Sequence, residues 1–110
     1  MNTVSLIGRL VRNPETTFPE KEGDMAVSHY TLAVNRFSKK KEETAFIRCV
    51  CFGRMAEIAE SYYYKGAKVA VTGHLVTGEY TNKDGYRVYT TEVIVERQEF
   101  AESIPKQDTA

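Results

Sequence analysis

The sequence contains no tryptophan, only two cysteines and no apolar run close to the ~18 residues of a membrane span. Without tryptophan, any aromatic surface must be built from the five phenylalanines and seven tyrosines. No signal-peptide pattern is present. The 15 basic and 15 acidic residues cancel to a formal net charge of zero, which argues against a generic polycation but allows local patches. These absences favour a cytoplasmic chain, and 110 residues suffice for one domain.

The two cysteines, Cys49 and Cys51, lie two residues apart on a predicted strand, a spacing that suits a disulfide poorly. The pattern favours two small buried thiols. A metal site formed with His29 and His74 is the alternative, although C-x-C is not a usual zinc spacing. We therefore predict neither a metal nor a cofactor.

Sequence signatures of catalysis are also missing. The chain has no H-E-x-x-H, no glycine-rich phosphate loop before a helix and no G-x-S-x-G elbow. Acidic residues are scattered, so a nuclease-like pair of carboxylates has no local support. We expect a binding protein and not an enzyme.

Between residues 44 and 66, the spacing of apolar residues changes from the two-residue period of a strand to the spacing of a helix. Phe46, Arg48, Val50 and Phe52 alternate on one face of a predicted strand. Apolar positions then recur at helical spacing, at Met55, Ile58, Ala59, Tyr62 and Tyr63. The tyrosine run 62–64 is expected to pack against the rest of the fold, and Gly66 to cap the helix.

Four further segments, 1–12, 26–36, 68–76 and 86–99, have strand patterns. Polar stretches up to residue 24, at 37–44 and at 78–86 are predicted to be loops or hairpin tips. Gly8 and Gly73 interrupt two strands, as expected where strands curl to close a barrel. Five strands with one helix between the third and fourth predict an all-β OB-fold, a Greek-key barrel. We expect this domain to span residues 1–100, followed by a short flexible tail, 101–110.

Aromatic and basic residues are interleaved in the middle of the chain, where residues 34–54 contain six basic and two acidic side chains. Single-stranded nucleic acid is held by aromatic rings that stack on bases and by cations along the backbone. The candidate binding residues are Phe37, Lys39, Lys40, Lys41, Phe46, Arg48, Phe52, Arg54 and Tyr80. The alternative is that the aromatics belong to the core and the lysines to a solvated loop.

Several sequence blocks, occurring in the same order and with matching gaps, carry a resemblance to a known protein family. They are MNTVSLIGRLVRNPE, YTLAVNRF, TAFIRCVCFGRMAEIAESYYYKGAKVAVTGHLVTGEY and DGYRVYTTEVIVE. From Met1 to Phe100 the sequence resembles the bacterial-type single-stranded DNA-binding proteins. The resemblance implies binding of single-stranded DNA without marked sequence preference, in DNA replication, recombination and repair. It also implies a homotetramer, with the first strand in a dimer interface, in the cytoplasm and associated with the nucleoid.

The same resemblance implies base-stacking aromatics at Phe46, Phe52 and Tyr80, with another near Phe37 or Ser38. Arg48 and Arg54 match cationic positions of the family.

The chain departs from the family pattern in three ways. Tryptophan, common at the stacking positions, is absent, so weaker binding per base is expected. Gly78 and Glu79 stand where basic residues often precede the aromatic at Tyr80. The sequence ends in IPKQDTA and lacks the usual acidic tip that recruits partners, so recruitment by that tip is not predicted. The alternative function is an OB-fold subunit for protein interaction or primosome assembly.

Overall fold

The structure is a computed structural model that describes residues 1–37 and 41–102. Six strands and one helix occur in these residues. They are β1 (Val4–Leu10), β2 (Glu15–Thr17), β3 (Val27–Phe37), β4 (Glu42–Phe52), α1 (Arg54–Tyr62), β5 (Lys68–Thr81) and β6 (Arg87–Phe100). The predicted all-β OB-fold is confirmed, with its helix between the third and fourth barrel strands, which are β4 and β5.

Five of the strands close into a barrel. Their order is β1-β5-β6-β4-β3, and β3 returns to β1 through the pairs Arg9 with Ala33 and Leu10 with Leu32. All neighbouring strands run antiparallel except β4 and β6, which are parallel through Cys49 with Val93 and Val50 with Ile94. This closure leaves the outer face of β4 flanked by β3 on one side and by β6 on the other.

The prediction of a loop throughout the acidic segment was wrong for Glu15–Thr17, which forms the short strand β2. Three residues are too few to show a period, and this strand exists because β3 offers it a free edge. Its pairs are Glu15 with His29, Thr16 with Ser28 and Thr17 with Val27. The outer surface beside β4 is therefore wider than five strands would make it.

Two glycines lie where the barrel bends. A Cβ at Gly8 would stand 2.6 Å from the Ala33 carbonyl oxygen, at the junction of β1 with β3. A Cβ at Gly73 would stand 1.9 Å from the Ile94 oxygen, next to the β-bulge that shifts the β5–β6 register. Glycine is required at both places because another backbone comes too close for any side chain.

The barrel interior is filled mainly by aliphatic residues. Fully buried aliphatic side chains come from several strands and include Leu10, Leu32, Val69, Val71 and Val93. Burial of each such side chain contributes about 1.5–3 kcal/mol in transfer free energy, so this core is the main source of stability. Ser28 is a fully buried polar residue among them, whereas the charged side chains of the described residues lie on the outer faces, which makes those faces available for binding.

The helix packs on the barrel through small residues. Ala56 and Ala59 are fully buried, and Tyr63, just beyond the helix, lies edge-on between the rings of Tyr30 and Phe100, with centroids 5.9 and 5.1 Å away. Tyr62, expected to pack here, is instead 59% exposed.

The predicted helix cap was also wrong. The helix ends at Tyr62, and Tyr63, the residue after it, is extended. Gly66, with φ of 92°, turns the chain further on, and its N–H donates to the Leu10 carbonyl. The glycine thus serves the connection to β5, not the helix end.

The β5–β6 hairpin is longer than predicted. Strand β5 continues to Thr81, and the turn is confined to residues 82–86, where the Asn82 side chain accepts hydrogen bonds from the N–H groups of Asp84 and Tyr86. Gly78 and Tyr80 therefore lie on a strand and not in a loop. Within the described part of the chain, no helix has the length and apolar character needed to cross a membrane.

Candidate nucleic-acid interface

The outer face of β4 presents aromatic and cationic side chains to solvent. Phe46 is 67% exposed and Phe52 38%, and the Arg48 side chain is also exposed between them. Val50 shares their face but is buried, and its register partners on the flanking strands are His29 of β3 and Ile94 of β6. Of the two interpretations of Phe46 and Phe52, the structure supports surface over core.

The inner face of β4 is part of the core and has no binding surface. Cys49 and Cys51 are buried free thiols, and burial raises the pKa of each to about 12, Cys51 adding to the effect at Cys49. Burial, followed by the two nearby thiols, likewise raises the pKa of the Tyr30 phenol, whose hydroxyl donates to Gln98. These groups stay neutral and support the strand from beneath.

The hairpin of β5 and β6 extends the exposed surface. His74, Val76, Gly78 and Tyr80 alternate on one side of β5, and His74 is joined through Ile94 to Val50 of β4. Tyr80, 57% exposed, is therefore on the same side of the sheet as Arg48 and Phe46.

Glu79 lies on the opposite side of the hairpin, where its carboxylate is 3.9 Å from the Arg87 guanidinium. The carboxylate that precedes Tyr80 in the sequence thus points away from the surface that carries Tyr80.

The remaining predicted residues differ in position. Arg54 begins the helix and lines a shallow groove with helix residues such as Glu57 and Tyr62, so it is not gathered with Phe46 and Arg48. Lys41 is exposed just before β4. Phe37 ends β3 opposite Glu42, while its side chain and the residues Lys39 and Lys40 lie outside what the structure describes.

The alternative metal site is not formed. Cys49 and Cys51 face the barrel interior, whereas His29 and His74 belong to the outer surface, so the four side chains cannot meet. No group of three or more histidine, cysteine, aspartate or glutamate side chains among residues 1–37 and 41–102 is arranged to hold a metal ion.

A recess of about 470 Å³ beside Phe46 and Arg48 adds residues that were not among the predicted binding residues. Arg12, Glu15 and His29 line it, together with Thr31 of β3. The alternation of Tyr30, Leu32 and Val34 toward the core implies that His29 and Thr31 face outward. Only the register of β3 against β4 places them opposite Val50 and Arg48, in the lining of the same recess as Phe46.

Comparison with known proteins agrees with this geometry. The model of the single-strand binding protein family matches residues 1–101. The chain belongs to this family. A family of binding proteins agrees with the expectation that the chain is not an enzyme.

Curated proteins similar to this chain are named single-stranded DNA-binding proteins. The single-stranded DNA-binding protein of Clostridium perfringens is 48% identical over 103 residues, covering 94% of this chain and 67% of the relative. That of Clostridium tetani is 42% identical over 111 residues, covering 99% and 76%. That of Lactiplantibacillus plantarum is 40% identical over 106 residues, covering 94% and 52%. The chain thus spans between about half and three quarters of the length of these relatives.

Proposed function

We propose that this chain binds single-stranded DNA with little sequence preference and takes part in DNA replication, recombination and repair. The observation that carries the proposal is the outer face of β4, where two exposed phenylalanines flank an exposed arginine. Large aromatic side chains are normally buried, so solvent-facing rings beside a cation indicate a binding surface. Membership in the single-strand binding protein family supports the same ligand.

The mechanism is stacking combined with charge neutralisation. Bases stack on Phe46, Phe52 and Tyr80, whose rings lie on one side of the sheet. Every base has a π-face, so such contacts tolerate any sequence. Arg48 supplies a cation within this surface, and the further predicted contacts are Phe37, Lys39, Lys40, Lys41 and Arg54. Because cations displace counterions from the DNA, the affinity should fall as salt is added.

We propose that the working protein is a homotetramer, as the family resemblance implies, located in the cytoplasm and associated with the nucleoid. The edge of β1 supports association between copies. Its residues Val4–Gly8 pair with β5, but the register with β3 covers only Arg9 and Leu10. Ile7 on this strand is also exposed. Sedimentation equilibrium would give the mass directly, and a monomer at micromolar concentration would contradict the tetramer.

The proposed function is tested by titrating the protein with oligo(dT) while tyrosine fluorescence is recorded. The chain has seven tyrosines and no tryptophan to mask them. Saturable quenching by the single strand, with no response to a duplex of equal length, is expected. The Phe46→Ala variant should bind more weakly. No saturable response, together with no shift in a native gel, would overturn the proposal and favour a protein-interaction subunit.

A further inference from the structure

The recess beside Phe46 contains more positive than negative groups. Arg12, from the segment after β1, and Arg48, from β4, both line it. His29 adds an imidazole from β3, and Glu15 of β2 is the acidic side chain in the lining. Four different elements therefore contribute charged or titratable groups to one cavity.

The size and the walls of the recess suit a nucleotide. Its volume of about 470 Å³ lies within the range of about 300–1,000 Å³ typical of small-ligand sites. One wall is the exposed ring of Phe46, on which a base can stack. Two guanidinium groups in the same lining offer the donors that phosphate oxygens prefer. The recess is also continuous with the proposed DNA-binding face, since it shares Phe46 and Arg48 with it.

We infer that this recess is a subsite for one nucleotide of the bound single strand, in which Arg12 and His29 contact the phosphate while the base stacks on Phe46. This inference rests on the proposed function and extends the DNA path from β4 across β3 toward the segment after β1. It assigns binding roles to Arg12 and His29, which lie far from the lysine-rich segment in sequence.

The subsite has a consequence for pH. Histidine is the side chain whose charge normally changes between about pH 5 and 8, and a protonated imidazole donates two hydrogen bonds to phosphate oxygens. The charged groups around His29 are Glu15, its register partner on β2, and Arg12 and Arg48, which line the same recess. A phosphate bound beside the ring favours the protonated imidazole, so DNA binding should tighten as the pH falls.

The experiment measures oligo(dT) affinity for Arg12→Gln and His29→Gln, in the full chain, at several salt concentrations and at pH 5.5 and 8. Two matched controls remove the same group types elsewhere. The first control is Arg97→Gln, because Arg97 lies on β6 beside Ala70 and Thr72, outside the recess. His74→Gln removes the other histidine, which lies on the same side of the sheet but does not line the recess, and which pairs with Glu96 at 3.2 Å.

We expect Arg12→Gln to reduce the slope of log affinity against log salt by about 0.7, the value for one phosphate contact on a single strand. His29→Gln should abolish most of the tightening between pH 8 and pH 5.5. Arg97→Gln should keep the wild-type salt slope, and His74→Gln the wild-type pH dependence. Circular dichroism of each variant establishes that the fold is retained.

Two kinds of failure are distinguishable. If Phe46→Ala weakens binding but Arg12→Gln and His29→Gln behave like their controls, the subsite is wrong and the proposed function stands. If the wild-type protein shows no saturable binding to oligo(dT), the proposed function fails and the subsite fails with it.

Discussion

Arg48 and Glu92 form an ion pair between β4 and β6, with 3.8 Å between the arginine Nη2 and the glutamate Oε2. The cation at the centre of the proposed DNA-binding face thus has a carboxylate partner before any DNA arrives. Both side chains keep contact with solvent, so the pair itself contributes little to stability. A phosphate that binds Arg48 must compete with Glu92 for the same donors.

We therefore expect Glu92→Gln to tighten binding of oligo(dT). Release of Arg48 and removal of a like charge near the phosphates should raise the affinity by a factor of about 1.4 to 5, since exposed pairs are worth about 0.2–1 kcal/mol. Fluorescence titration at low and high salt would measure the change. Glu60→Gln, on the exposed side of the helix, removes an equal charge and should have a smaller effect. Equal effects of the two variants would mean that only net charge matters.

Replacement of the exposed phenylalanines should separate binding from stability. Phe46→Ala is expected to weaken oligo(dT) binding by about 1–3 kcal/mol, a range known from single-strand binding proteins themselves, while the melting temperature changes little. Phe52, with more of its surface covered, should lose affinity and also some stability. Tyr62→Ala is the control, because this ring is exposed on the helix. A Tyr62→Ala protein that loses as much affinity as Phe46→Ala would argue against the β4 face.

The sequence predicts that Phe46, Arg48 and Phe52 share one face of β4, because alternation along one strand is a local property. The same alternation left open whether that face is exposed or belongs to the core. The burial of Val50 on the same face could not be predicted, since it depends on two neighbouring strands that are distant in sequence. Strand β2 escaped prediction for the same reason, because only the free edge of β3 makes it a strand.

In the β5–β6 hairpin, pairing between the strands overrides the local conformational preference of the sequence. Gly78 and Glu79 favour a turn by residue type, yet they are paired with Thr90 and Tyr89 in a continuous ladder. The recess residues Arg12 and His29 belong to separate segments with no shared motif, and the fold alone brings them to the same cavity. Proximity of this kind carries no signal in a single sequence.

The buried thiols and Tyr63 should make the protein less stable in alkaline solution. Burial raises the pKa of Cys49 and Cys51 from 9.0 to about 12, and burial with nearby Cys51 and Glu99 raises that of Tyr63 from 10.0 to about 12. Between about pH 9 and pH 12, these thiol and phenol groups lose their protons in the unfolded chain but keep them in the folded chain. Stability is therefore full below about pH 9 and falls as the pH rises toward 12.

Urea midpoints measured from pH 7.5 to 10.5 would test this expectation. A Cys51→Ala variant should start from a different midpoint but fall less steeply with pH, because one titrating group is gone. An identical slope in both proteins would show that Cys51 does not contribute to the alkaline loss.

Closure of the barrel should depend on glycine at position 73, because glycine has no Cβ. An added Cβ would lie 1.9 Å from the Ile94 oxygen and 3.2 Å from the Val95 Cα, both of them backbone atoms in β6. Relief of this overlap requires the two strands to separate at the bulge, so Gly73→Ala should cost about 3 kcal/mol or more.

Thermal unfolding followed by circular dichroism would report this cost as a fall of more than about 10 °C. Gly78→Ala, on the same strand, provides the matched control. Its Cβ would meet only the Thr90 Oγ1 at 3.1 Å, a side-chain atom that can rotate away. The free energy of unfolding of this variant should stay within about 1 kcal/mol of the wild-type value. Alanine lowers the conformational entropy of the unfolded chain, which offsets the small steric cost. Similar melting temperatures for the two variants would mean that the bulge tolerates a side chain and that Gly73 is not needed to close the barrel.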